Sequence, residues 1–160
     1  MGYRDKVEIR TTNIATDAGN VYAVGDVIDS LKTINNAVLD DSGASFLEHL
    51  TIIDKEGFSP ELQIIFFSEN PTASTISQNN PLNIAAADYD KILGVMTIPG
   101  VNYIDLKPAS AASAITHSDL NLVIQSTVES RVVYFCVVTQ EVVTYTNADS
   151  LVVKAGISQQ

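Results

Sequence analysis

The chain has 160 residues and carries 9 basic against 19 acidic side chains, a net charge of −10. That balance argues against nucleic-acid binding, which needs clustered Lys and Arg to displace phosphate counterions, and against adsorption to an anionic membrane. No apolar run approaches the ~20 residues of a membrane span, and the single Cys136 excludes an intrachain disulfide.

A chain of this length forms one domain that buries roughly 70% of the surface its unfolded form exposes, so it folds without metal or cross-links. The start, Met-Gly-Tyr-Arg-Asp-Lys, has no apolar signal region, and Lys6 stands where a myristoylation motif wants Ser or Thr. The triplet Asn70-Pro71-Thr72 is blocked as a glycosylation acceptor by its proline. Synthesis in a cytosol without export is the expectation.

Residues 1–18 are polar, with Val7 and Ile9 alternating like a short strand. They are expected to form a terminal arm that orders on a partner and is dispensable for folding, with the folded domain over 19–160. The domain opens at Asn20-Val21-Tyr22-Ala23-Val24, and Gly25-Asp26 marks a bulge or tight bend. Residues 30–36 fit an edge strand, and 39–44 a turn.

The stretch 46–68 holds two β-branched and aromatic runs, 46–54 and 61–68, flanking the polar connection 55–60. This is the signature of two paired strands. The second run is so apolar that both its faces must be covered, by a second sheet or by a partner. Residues 70–81 make a long uncharged loop. A short helix is expected over 85–93, with Asp88 opposing its positive end and Gly94 as its C-terminal cap. Strands follow at 95–98 and, across Pro99-Gly100, at 101–106. Residues 107–113 read as a connection, and strands at 120–125, 132–139 and 151–157 close the chain. The pattern is that of an all-β, single-domain β-sandwich, jelly-roll-like, with eight or nine strands and one short helix.

Chemistry-bearing groups are sparse. His49 and His117, read as two solvent-facing histidines, fall short of the three or four ligands a zinc site needs. Asp40-Asp41-Ser42-Gly43 lacks the ligand spacing of a calcium loop and reads as a solvated acidic turn. Cys136, inside an apolar strand, reads as a buried, unreactive thiol. No nucleophile elbow, phosphate loop or dinucleotide fingerprint occurs, so no catalytic residue, cofactor or metal is assigned and the chain reads as non-enzymatic. Tyr22, Tyr103 and Tyr145, near strand ends, are the aromatics most able to form a sugar-binding platform.

With the strands placed, residues 21–157 resemble a family of small capsid-associated proteins of tailed bacteriophages, the head decoration or cement proteins. The resemblance is carried by Val21-Tyr22-Ala23-Val24-Gly25-Asp26-Val27, Leu50-Thr51-Ile52-Ile53-Asp54-Lys55, and Leu62 to Phe67 with Ser68-Glu69-Asn70-Pro71-Thr72. Ala87-Asp88-Tyr89-Asp90-Lys91-Ile92-Leu93-Gly94-Val95 and Leu151-Val152-Val153-Lys154-Ala155-Gly156-Ile157 complete it. It implies a virion location on the capsid surface, the major capsid protein as partner, and a homo-oligomer, trimeric by preference. The arm and the long loop become the expected contacts, at Val7, Ile9, Asn70, Thr72, Thr75, Ile76, Asn79 and Asn80. The alternatives are a tail- or fibre-associated virion subunit and a carbohydrate-binding β-sandwich module.

Overall fold

The structure, a computed structural model, describes residues 7–107, 111–127 and 130–159. Twelve strands occur in chain order: β1 (Val7–Ile14), β2 (Val21–Tyr22), β3 (Lys32–Ile34), β4 (Ala44–Asp54), β5 (Leu62–Phe67), β6 (Ile92–Ile98), β7 (Ile104–Asp105), β8 (Ser113–His117), β9 (Leu122–Gln125), β10 (Val133–Thr139), β11 (Val143–Thr144) and β12 (Leu151–Gln159). One sheet has the order β1-β12-β4-β8-β7, with β9 continuing beside β4; the other is β3-β10-β5-β6; β2 and β11 form a separate ribbon. Every pairing is antiparallel.

The winding alternates between sheets. β1 lies in the first sheet, β3 in the second, β4 in the first, β5 and β6 in the second, β8 and β9 in the first, β10 in the second and β12 in the first. A six-stranded and a four-stranded antiparallel sheet interleaved in this way form a jelly roll. The topology corrects one expectation: β4 and β5 do not pair with each other. Residues 55–61 carry the chain across the sandwich, and β4 pairs with β12, β8 and β9 whereas β5 pairs with β10 and β6. Two apolar runs around a polar link read alike whether the link is a hairpin or a crossover between sheets.

The inner faces of both sheets meet in one core that includes Ile14, Leu47, Leu50, Ile52, Ile64, Phe66, Phe135 and Ile157. Phe66 and Phe135 pack with ring centroids 6.0 Å apart. Burying each such side chain contributes about 1.5–3 kcal/mol. The outer face of β5 and β10 is also covered: Val27, Ile65, Phe67, Cys136 and Val138 lie under Ile76, Leu82, Ile84 and Ile92. Both faces of β5 are therefore buried, the outer one by the chain's own loop. Cys136 is fully buried, and that burial pushes its thiol up to about 12.

β4 bends where its alternation changes step. His49 stands opposite Gly156 and Leu47 opposite Ile157, so Glu48 is the extra residue of a β-bulge. Without the bulge Leu47 and His49 would share a face; with it, Leu47 and Leu50 both reach the core. The neighbouring strand breaks at the same level. β8 ends at His117, β9 starts at Leu122, and the Leu120 N–H donates to the Glu48 carbonyl at 3.0 Å. A Cβ on Gly156 would collide with the His49 ring, so only glycine admits the imidazole there. Both histidines are half-buried, which corrects the expectation that they face solvent.

Other local readings also change. The expected helix is a 3-10 helix over Ala86–Lys91, and β6 begins directly after it. Gly94 is no cap but a strand residue set against Leu122. The expected strand 101–106 shrinks to β7 behind a 3-10 turn, Gly100–Asn102, while β8 arises inside and beyond a stretch read as a connection. The bend at Gly25-Asp26 is present, with Gly25 at φ +91° and the Asp26 carboxylate accepting the Ala23 N–H at 2.8 Å. No helix among the described residues is long and apolar enough to cross a membrane.

Candidate functional site

Strand register places four connections at one end of the sandwich. Asp54, the last residue of β4, pairs with Leu151 at the start of β12 and with Ser113 at the start of β8, and Ile14 at the end of β1 also meets Leu151. In the second sheet Leu62, opening β5, meets Thr139 at the end of β10 and Ile98 at the end of β6. The loops 15–31, 55–61, 99–112 and 140–150 therefore leave the sheets side by side.

Hydrogen bonds join three of these loops, 15–31, 55–61 and 140–150, into one unit. The Asp54 carboxylate accepts the N–H groups of Glu56 at 2.9 Å, Gly57 at 3.1 Å and Ser59 at 2.9 Å. Gly57 sits at φ +70°, the left-handed region that glycine enters at least cost. Glu56 then reaches across to the 140–150 loop, accepting the N–H groups of Thr146 and Asn147, each at 2.9 Å, and the hydroxyls of Thr146 and Ser150. The 15–31 loop joins through Thr16, whose N–H donates to the Ala148 carbonyl at 2.8 Å, and through the Gly19 N–H, which donates to the Tyr145 carbonyl at 2.7 Å. Phe58 stands edge-on to Tyr145 with centroids 5.4 Å apart.

The two acids titrate in opposite senses. Burial raises the Asp54 pKa, against the pull of its N–H donors. Burial also acts to raise that of Glu56, but the bonds from Ser150, Thr146 and Asn147 more than offset it and hold the carboxyl at about 2. A depressed folded pKa contributes stability above the unfolded value of 4.5 that is lost as pH falls through about 2. Glu56→Gln is accordingly expected to cost about 1.5–3 kcal/mol at pH 7. Thermal melts at stepped pH between those two values should show the deficit shrinking on acidification; a pH-independent deficit would contradict the assignment.

On this hydrogen-bonded base the loops present apolar side chains to solvent. Seven of the thirteen exposed large hydrophobics among the described residues lie on these loops or on β7 and the ribbon they flank: Val21, Val24, Phe58, Val101, Ile104, Leu106 and Val142. Val101 is 91% exposed and Ile104 70%. Ile104 and Leu106 border a cleft of about 350 Å³ that Ala114 and Thr116 complete. Exposed apolar side chains gathered at one end of a fold make that end a candidate for association.

The residues singled out from the sequence are dispersed. Val7 and Ile9 project from β1, exposed by 45% and 51%. Ile9 is six residues from Ala15, about 20 Å along an extended strand, and Ala15 is the point where the long loop touches this side through Gln78. Ile76 packs onto the outer face of the second sheet. Asn79 donates its side-chain N–H to Asp17 at 3.0 Å and its backbone N–H to the Val27 carbonyl at 2.8 Å. Thr75 exchanges backbone bonds with Asn83, while Asn70, Thr72, Thr75 and Asn80 remain exposed. Below them Asp88 accepts the Ser74 hydroxyl at 2.6 Å and pairs with Lys91 at 2.9 Å; these two partners lower its pKa, the hydroxyl chiefly.

The tyrosines proposed for a sugar platform are placed otherwise. Tyr22 and Tyr145 are fully buried and Tyr103 is half-buried, because each ring caps the core beneath the loops. Burial raises the phenol pKa of Tyr103 and of Tyr145. Among the described residues no cluster of three or more His, Cys, Asp or Glu side chains is arranged to hold a metal ion. The apolar residues at the loop end escaped the sequence reading. Val101 and Ile104 were absorbed into an expected strand, and Val142 precedes the buried Val143, so composition gives no sign of which faces water. The available signal was Phe58, an aromatic in the otherwise polar link 55–60.

No protein-family model matches the chain, and no curated protein sequence matches it at a significant level. Among solved structures it is similar to a chain of Desmodium yellow mottle tymovirus, at 11% identity and a TM-score of 0.27, over 98% of this chain and 82% of the other. It is also similar to a chain from a full particle of Israeli acute paralysis virus heated to 63 degrees, at 14% identity and a TM-score of 0.31, over 96% and 67%. Neither likeness is close enough to carry an argument. The class is defined by strand order alone: the chain is a jelly-roll β-sandwich with an apolar loop end.

Proposed function

We propose that this chain is a structural, non-enzymatic virion protein, a head decoration or cement subunit that docks on the outside of a phage capsid through the loop end of its jelly roll. The observation that carries the reading is the gathering of exposed apolar side chains at one end of the sandwich, where Glu56 and Thr16 tie three of its four loops together. A rigid base keeps the ordering cost of docking low, and its apolar tips supply the driving force. The sequence resemblance to phage decoration proteins supports the same role and names the partner, the major capsid protein. The sugar-binding alternative is weakened by the burial of Tyr22 and Tyr145.

Two measurements test the reading. Quantitative mass spectrometry of virus particles from the source should count this protein at a simple ratio to the major capsid protein. A ratio of a few per cent would move it to the tail, and absence from particles would remove the virion role. For the surface itself, the double variant Val101→Asp with Ile104→Asp is expected to stay folded, since both side chains face water, and to bind stripped particles at least about tenfold more weakly, roughly 1.4 kcal/mol. Unchanged binding would place the contact elsewhere.

A further inference from the structure

Among the described residues five strands leave a sheet edge open, and they differ sharply. β7 has two residues, β3 three and β9 four, and β6 is irregular opposite Phe66–Phe67. β1 is different: eight residues pair with β12 in unbroken register, from Val7 opposite Ser158 to Ile14 opposite Leu151. Among the described residues no backbone group of residues 7–13 bonds to the backbone of any segment but β12. The strand holds no proline and no bulge, and its outward side chains, Val7, Ile9 and Thr11, are exposed β-branched residues. A long edge without proline or bulge can take a further strand, and its two charges, Glu8 and Arg10, beside the 33–36 segment, restrict which strand that is.

The pattern of β1 indicates which strand fits. When two copies pair antiparallel about a two-fold axis through Ile9, Ile9 faces Ile9, Val7 faces Thr11, and Glu8 faces Arg10 on both sides of the axis. Directly opposed residues share a face, so the apolar residues form one exposed stripe and the four charges a closed ring on the other face. Within one chain Glu8 already pairs with the Arg10 Nη2, and that same nitrogen also reaches the Asn36 carbonyl at 3.4 Å. The Arg10 Nε is nevertheless buried without a hydrogen-bond partner, and the opposed Glu8 of a second copy brings a further carboxylate to that guanidinium. Shifting the register by two residues, to a centre at Glu8 or Arg10, sets like charges face to face.

We infer that β1 is a self-recognition edge: two copies of this chain join their first sheets through antiparallel β1–β1 pairing centred on Ile9. The interface is isologous, so it closes at two copies and makes one continuous sheet across the dimer. It predicts two-fold association where the family resemblance leads to three-fold clustering. It does not depend on shell docking, since particle binding by an obligate monomer would overturn the pairing and leave the docking surface intact.

Sedimentation equilibrium of the full chain at ~100 µM, a concentration suited to a small, weak interface, tests it with two charge variants. Glu8→Lys makes the strand doubly basic and Arg10→Glu doubly acidic, so each alone sets like charges opposite and is expected to sediment as a monomer. An equimolar mixture restores opposite charges at all four positions and should sediment as a heterodimer. Ile9→Lys, which places two cations on the axis at an exposed site, should also be monomeric with an unchanged thermal midpoint. A monomeric wild type, a dimeric single variant, or a mixture that fails to associate would each overturn the inference.

Discussion

Asp54→Ala is expected to destabilise the protein by about 3 kcal/mol, lowering the thermal midpoint by roughly 10 °C for a domain of this length. The side chain is fully buried, yet it accepts three backbone N–H groups from the turn that follows β4. Removing the carboxylate strands those donors in a turn already committed to a left-handed residue at Gly57. Asn is no remedy, because its amide turns a donor toward donors. Asp105→Ala is the control: that carboxylate is exposed and, among the described residues, accepts one N–H, that of Lys107 at 3.0 Å, so its loss should cost under about 0.5 kcal/mol. Urea unfolding of both variants decides the matter, and a loss below 1 kcal/mol for Asp54→Ala would show that water replaces the carboxylate. The pH dependence carries its own sign. Burial raises the folded pKa of Asp54, so its charge subtracts stability as pH rises from the unfolded value of 3.8 through the folded one, opposite to Glu56.

Removing residues 1–14 is expected to abolish the cooperative thermal transition, whereas removing residues 1–6 should leave it in place. The stretch expected to be a dispensable arm holds β1, which pairs with β12 from Leu151 to Ser158, and Ile14, which is fully buried in the core. Without β1, the β12 segment Val152–Gly156 becomes an exposed apolar edge, and the expected product is an aggregating chain. Net stabilities of domains are only about 5–15 kcal/mol, so an eight-strand-residue deletion with a core side chain exceeds what remains. Circular dichroism melts of the two truncations separate the outcomes. A cooperative melt for the longer truncation would return residues 7–14 to the status of an arm.

Much of the fold was legible because hydrophobic runs report burial directly. β5, β10 and β12 carry nearly continuous apolar sequence, and each lies at or beside the centre of its sheet. The turn at Asp40-Asp41, the bend at Gly25 and the buried Cys136 followed from residue chemistry that acts locally. β8 was missed because Ser-Ala-Ile-Thr-His has a single large apolar residue; its place is set by pairing with β4, a partner sixty residues away in sequence. The loop 70–81 reads as a free contact surface because its polarity is visible, whereas the seat of Ile76 on the outer face of the second sheet is not.

The candidate surface was the least legible part. Val142 and Val143 are identical in kind and adjacent in sequence, yet one is 68% exposed and the other buried, because β11 pairs with β2 and turns one side chain inward. Exposure of Val101 and Ile104 likewise follows from where the chain crosses between sheets.

The amino-acid sequence by itself determined the all-β class, the single domain, the acidic surface and the strands that form the core, since these depend on local propensity and on how much apolar surface must leave water. Only the tertiary structure decided which strands pair, that the outer face of β5 is covered by the chain's own loop, and that four loops distant in sequence share one end. Those outcomes rest on non-local register, and register is a property of two segments at once, which no single segment encodes.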